Sequence, residues 1–148
     1  METPAQRPKP VLLLVEDDQD DVYFFERALM KSGAPYAIHH AEDGSAAINF
    51  VQKALAEDYL PEIVFLDLKM PVLNGFDVLD WMKRQTFPRP IPVVVLSGSE
   101  QPHDKERARQ LGAIDYLVKP IKPEDLVRLL DLVSVSPHHA AGIELGAS

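Results

Sequence analysis

Cysteine is absent from the 148-residue chain, so neither a disulfide framework nor a thiolate metal site can form. A reducing compartment fits that absence. No apolar run approaches the length that spans a bilayer. The leading METPAQRPKP holds no apolar stretch, and the VLLLV that follows is too short for a signal peptide and passes straight into EDD. Positive charge is also scarce. Fifteen Lys and Arg against 23 Asp and Glu leave a net charge of −8, which argues against the clustered basic surface of a nucleic-acid binder. No glycine-rich turn follows the first apolar run; Glu16, Asp17 and Asp18 stand there instead and would repel a pyrophosphate. The expectation is a soluble cytoplasmic protein with neither a membrane nor a nucleic-acid partner.

What is present suits one domain with one core. Residues 1–9 read as a loose, proline-rich lead, residues 10–134 as the domain, and residues 135–148 as a tail with little periodicity. Inside the domain, short apolar runs alternate with helical patterns. Strands are expected at Val11–Val15, Tyr36–His40, Glu62–Leu66, Pro92–Leu96 and Ile114–Val118. Helices are expected at Gln19–Ser32, from a Ser45 cap to about Glu57, Phe76–Arg84, Asp104–Leu111 and Glu124–Val133. Asp43-Gly44 reads as a turn. Ile48, Val51 and Leu55 should face inward from the second helix, and Phe76, Leu79 and Met82 from the third. Five β-α repeats imply an α/β fold, a doubly wound five-stranded parallel sheet with helices on both faces.

Polar residues gather where the strands stop. The first run ends in Glu16-Asp17-Asp18, the third in Asp67, the fourth in Ser97-Gly98 and the fifth in Lys119-Pro120. Open α/β sheets bind ligands beyond the carboxyl ends of their strands, at the topological switch point. With strand order 2-1-3-4-5, Glu16, Asp17 and Asp67 converge there, flanked by Ser97 and Lys119. Crowded carboxylates repel, and Mg²⁺ offsets that repulsion while accepting phosphate oxygens. Asp67 is then a nucleophile able to form an acyl phosphate. Lys119 and the metal would stabilise the transferring oxygens, Ser97 would donate a hydrogen bond, and Gly98 would let phosphate approach.

Each residue alone has a plainer explanation. Glu16, Asp17 and Asp18 suit the first turn of a helix, Asp67 suits a turn cap, and Ser97 and Lys119 suit solvated strand ends. Four strand ends with complementary chemistry are harder to assign to chance. His39-His40 lies on a strand, so the two rings face opposite ways and cannot share a metal. His138-His139 in the tail is given adventitious metal binding at most.

LLLVEDD, AEDGSAA, VFLDLKMPVLNG, VVVLSGS and GAIDYLVKP together resemble the receiver domains of two-component response regulators, a flavodoxin-like fold, over about residues 11–133. The resemblance implies that Asp67 is phosphorylated by a sensor histidine kinase. Glu16 and Asp17 would bind Mg²⁺, or Mn²⁺ in its place, with the Lys69 backbone carbonyl as a further ligand. Ser97 and Tyr116 would be the switch pair, Lys119 the phosphate-facing lysine, and Pro120 would follow a cis peptide. Lys69, two residues after the nucleophile, and Ser99 would tune the lifetime of the acyl phosphate. The stretch Ala54–Leu60 and IPVVVLSGS are similar to stand-alone regulators that serve phytochrome-type kinases, so a bacteriophytochrome partner is implied.

The expectation is a phosphoacceptor switch rather than a turnover enzyme, self-phosphorylating and slowly self-dephosphorylating at Asp67 alone. Dehalogenase-like phosphatases place a second acid two residues after their aspartate; here that position is Lys69, which lacks the acid-base group. An inert interaction domain would not need the complete acid, serine and lysine set. No DNA-binding module is expected after Val133, so output would come through partner binding, onward phosphotransfer or a homodimer formed by the last helix or the tail.

Overall fold

The computed structural model describes residues 9–98 and 101–134. Ten elements alternate in chain order: β1 (Val11–Val15), α1 (Gln19–Ser32), β2 (Ala37–Ala41), α2 (Gly44–Ala56), β3 (Ile63–Asp67), α3 (Gly75–Lys83), β4 (Val93–Ser97), α4 (Pro102–Gln110), β5 (Asp115–Val118) and α5 (Pro123–Ser134). The strands form one sheet in the order β2-β1-β3-β4-β5, every pairing parallel. This is the architecture and strand order expected from the sequence.

Strand apolarity follows from burial on both faces. Side chains alternate across a strand. Leu12 and Leu14 of β1 therefore join Phe25 and Leu29 of α1 and Leu126, Leu129 and Leu130 of α5 in one cluster. Leu13 and Val15 join Val51, Val78, Leu79 and Ala108 on the opposite face. The first cluster is pinned by an edge-on Phe25–Phe65 pair with centroids 4.9 Å apart. β2 lies at the sheet edge, and its weaker apolar pattern fits that place.

Four local expectations need correction. The α2 cap is Asp43, whose side chain accepts the Ala46 N–H at 2.8 Å, rather than Ser45. Gly44 is helical instead of forming a turn: an added Cβ there would meet Leu73 Cβ at 2.7 Å, so glycine is needed for close packing. α2 turns Ala47, Val51 and Ala54 inward while Leu55 stays 36% exposed, because the alanines let the helix lie close to the sheet. Phe76 turns inward only in part: it packs half-buried against the second cluster while α3 buries Val78, Leu79 and Met82, and the Arg107 guanidinium lies 4.2 Å from the centre of the Phe76 ring.

α1 and α3 show how local sequence fixes element ends. Asp18 caps α1 by accepting the N–H groups of Asp20 and Asp21, and Gly33 ends it at φ +74°, a left-handed backbone that glycine adopts without penalty. Asn74 and Asp77 form a reciprocal capping box on α3. Between β3 and α3, Val72 takes φ +64° although β-branched, and its side chain is 98% exposed.

Candidate functional site at the strand tips

β1 and β3 are neighbours in register, with Val15 beside Leu66. Glu16 and Asp67 therefore emerge together at the carboxyl edge. Ligand oxygens of Glu16, Asp17 and Asp67 all lie within 4.8 Å of one another. Glu16 and Asp67 are buried, and Asp17 is exposed. Ser97, at the end of β4, is also buried. Lys119 follows β5 and donates its backbone N–H to the Ser97 carbonyl at 2.7 Å. The Lys119–Pro120 peptide is cis, as expected.

The Lys119 ammonium gathers the acids. Its Nζ lies 2.8 Å from Glu16 Oε1, 2.8 Å from Asp21 Oδ2 and 3.1 Å from Asp67 Oδ1. Glu16 Oε2 accepts the Asp18 N–H at 3.2 Å. Burial pushes the Glu16 carboxyl up to about 7; the Lys119 hydrogen bond works against that rise, and the Asp67 charge adds to it. Burial also raises Asp67, opposed by Lys119 and by a hydrogen bond from the Lys69 backbone. Burial alone would lower Lys119, but hydrogen bonds to Asp21 and Glu16 and the charge of Asp67 outweigh it and hold the ammonium above the ordinary lysine range. Two acids that resist ionising beside one cation mark a place that would accept more positive charge.

The residues fit a hard divalent cation. Three convergent carboxylates supply oxygen donors, and the exposed side of Asp17 leaves the cluster open to water. The Lys69 side chain is exposed. A Cβ added to Gly98 would meet no heavy atom of the described residues within 4 Å. Tyr116 is half-buried, with Lys105 Nζ 5.8 Å from its ring centre. Ser99 lies outside the described residues, as do residues 1–8 and His138-His139.

Sequence reasoning missed three positions. Asp21 bonds Lys119, and the available signal was its place in the first turn after EDD. His40 Nε2 donates to the Glu16 carbonyl oxygen at 2.7 Å, while His39 stacks on Phe50 with centroids 4.0 Å apart on the other side of β2. Gly75 allows α3 to abut β3, since an added Cβ would collide with the Asp67 carbonyl oxygen and lie 2.8 Å from Leu68 Cα.

A doubly wound sheet with this acid-lysine cluster at its switch point defines a receiver. The chain belongs to the response regulator receiver domain family, which residues 12–131 match. Members of that family are signalling phosphoacceptors. A Methanothrix harundinacea protein named Probable methanogenesis regulatory protein FilR2 is 37% identical over 82% of this chain and 79% of its own length. Among solved structures, the bacteriophytochrome response regulator AtBRR superposes with a TM-score of 0.73 at 30% identity, covering 87% of this chain and 95% of its own. The Mn²⁺-bound form of response regulator Rcp1 superposes at 0.67 with 31% identity, covering 87% and 94%. Some curated relatives are longer: the match spans 55% of the Staphylococcus aureus response regulator SaeR.

Proposed function

We propose that the chain accepts a phosphoryl group on Asp67 from a sensor histidine kinase and switches a partner-binding surface in response. The convergence of Glu16, Asp17 and Asp67, with Lys119 bonded to the first and last of them, carries this reading. Glu16, Asp17, Asp67 and the Lys69 carbonyl would hold Mg²⁺ or Mn²⁺. When bound, the cation supplies charge neutralisation for the phosphoryl oxygens.

An Asp67 oxygen attacks the phosphorus of a phosphohistidine. The new O–P bond forms as the P–N bond breaks, and the electron pair leaves on the imidazole nitrogen, which takes up a proton. Lys119 and Ser97 donate to phosphoryl oxygens, and Gly98, with no side chain and no described residue crowding it, admits the group. Ser97 then draws toward the phosphate and Tyr116 fills the space it leaves, which remodels the surface of α4, β5 and α5.

Residues 10–134 form the working unit, flanked by a lead and a tail, and it acts in the cytoplasm. Likeness to AtBRR supports a bacteriophytochrome as the kinase. Val127 and Leu132 of α5, 41% and 56% exposed, support a homodimer through that helix. Lys69 and Ser99 set the lifetime of the acyl phosphate, so Lys69→Asn changes its half-life.

Incubation with acetyl phosphate and Mg²⁺, followed by intact-mass measurement, tests the reading. One phosphoryl group should be gained by the parent chain and none by Asp67→Asn. Labelling that survives in Asp67→Asn would refute it, and sustained turnover of phosphate esters would favour a phosphatase.

A further inference from the structure

Lys119 carries three donors, and three carboxylates lie around it at 2.8, 2.8 and 3.1 Å. Two of them, Glu16 and Asp67, also belong to the cluster whose oxygens could share a cation. The third, Asp21, does not. This divides the lysine's partners into two that a cation would compete for and one that it would not.

Asp21 is also held firmly in place. It sits in the first turn of α1, and its backbone N–H donates to the Asp18 cap at 3.1 Å. Glu16 reaches that turn through Oε2, which accepts the Asp18 N–H at 3.2 Å, whereas its contact with Lys119 is made by Oε1. The Asp21 side chain is one-third exposed, so its role is not to fill the core.

We propose that Asp21 is a positioning residue that keeps hold of Lys119 when Glu16 turns from the lysine to a divalent cation. The proposal rests on the site read above as the cation and phosphoryl site. Without Asp21, Lys119 would lean on Glu16 and Asp67 alone, and each would be harder to release. Cation binding would then have to break stronger lysine contacts. With Asp21 in place, one donor stays anchored, and the ammonium remains at the strand tips facing Asp67.

Asp21 could instead act simply as one more negative charge near the ion. A double-mutant cycle distinguishes the two, because an effect exerted through Lys119 disappears when Lys119 is replaced. Mn²⁺ binding to the unphosphorylated chain is followed by electron paramagnetic resonance in four proteins: the parent, Asp21→Ala, Lys119→Met and the double variant. Asp21→Ala should weaken Mn²⁺ binding about three- to tenfold, a size typical of coupled neighbours in one network. Asp21→Glu should recover most of the loss. In the Lys119→Met background, Asp21→Ala should change binding less than twofold.

Equal weakening in both backgrounds would show a direct charge effect and overturn the proposal. So would unchanged binding in Asp21→Ala. Thermal melts of all variants separate misfolding from altered binding, and Asp21→Glu retains the first-turn acid if alanine loosens the helix. Failure of the parent chain to bind Mn²⁺ would overturn the site reading itself, a different result from tight binding that ignores Asp21.

Discussion

At the residue scale, the site depends on glycine as much as on carboxylates. Gly75 has no side chain because its Cβ would strike the Asp67 carbonyl oxygen and approach Leu68 Cα, and backbone atoms have little room to yield. Gly75→Ala should therefore destabilise the fold by about 1–3 kcal/mol, the usual cost of overpacking. It should also displace Asp67 and slow its labelling by acetyl phosphate. Urea denaturation and the labelling rate check both, and a variant matching the parent in each would show that the contact is soft. Legibility at this scale was uneven. Glu16, Asp17, Asp67, Ser97 and Lys119 announce themselves because charge or hydroxyl directly follows an apolar run. Asp21, His40 and Gly75 do not, because each acts through a contact with residues distant in sequence or with the backbone.

At the element scale, α4 differs from its neighbours. Ala108 is its one buried residue, and the Gln101 side chain makes no capping hydrogen bond at its start. Its side contacts are long polar ones: Arg107 over Phe76, Lys105 near Tyr116, and Lys83 donating to the Gln110 carbonyl at 3.2 Å. Such an element should open well below the global unfolding free energy. Hydrogen exchange should find the α4 amides exchanging faster than those of β1, β3 and β4, and equal protection would remove this ranking. The same contrast explains which elements the sequence disclosed. β1 and α1 fall on their expected bounds, since a five-residue apolar run and a capped amphipathic helix are local signals. The inward face of α2 is not a local signal, because its larger apolar residues suggest a stripe that the alanines occupy instead. α4 starts two residues earlier than expected, at Pro102, where proline is tolerated in the first turn.

At the scale of the whole molecule, the buried acids set how stability responds to pH. Glu16 titrates near 7 in the fold against 4.5 in the open chain. Between those values the folded protein keeps a proton that the unfolded chain has released, so stability falls as pH rises through that window. Burial moves Asp67 in the same direction. The chelator-treated protein should have a higher urea midpoint near pH 5 than near pH 7.5, and Glu16→Gln should flatten the difference. Excess Mg²⁺ should raise the midpoint most at the higher pH, where the carboxylates are free to bind it. A midpoint that rises with pH in the chelated parent would contradict this account.

Val72 has a practical consequence for anyone engineering this scaffold. A β-branched side chain held in left-handed backbone, with almost all of its surface in water, gives the interior no packing in return for its strain. Asparagine tolerates that backbone far better, so Val72→Asn should toughen the isolated domain without touching its interior, read as a higher melting temperature. The loop beside the strand tips is thus an inexpensive place to look for thermostability.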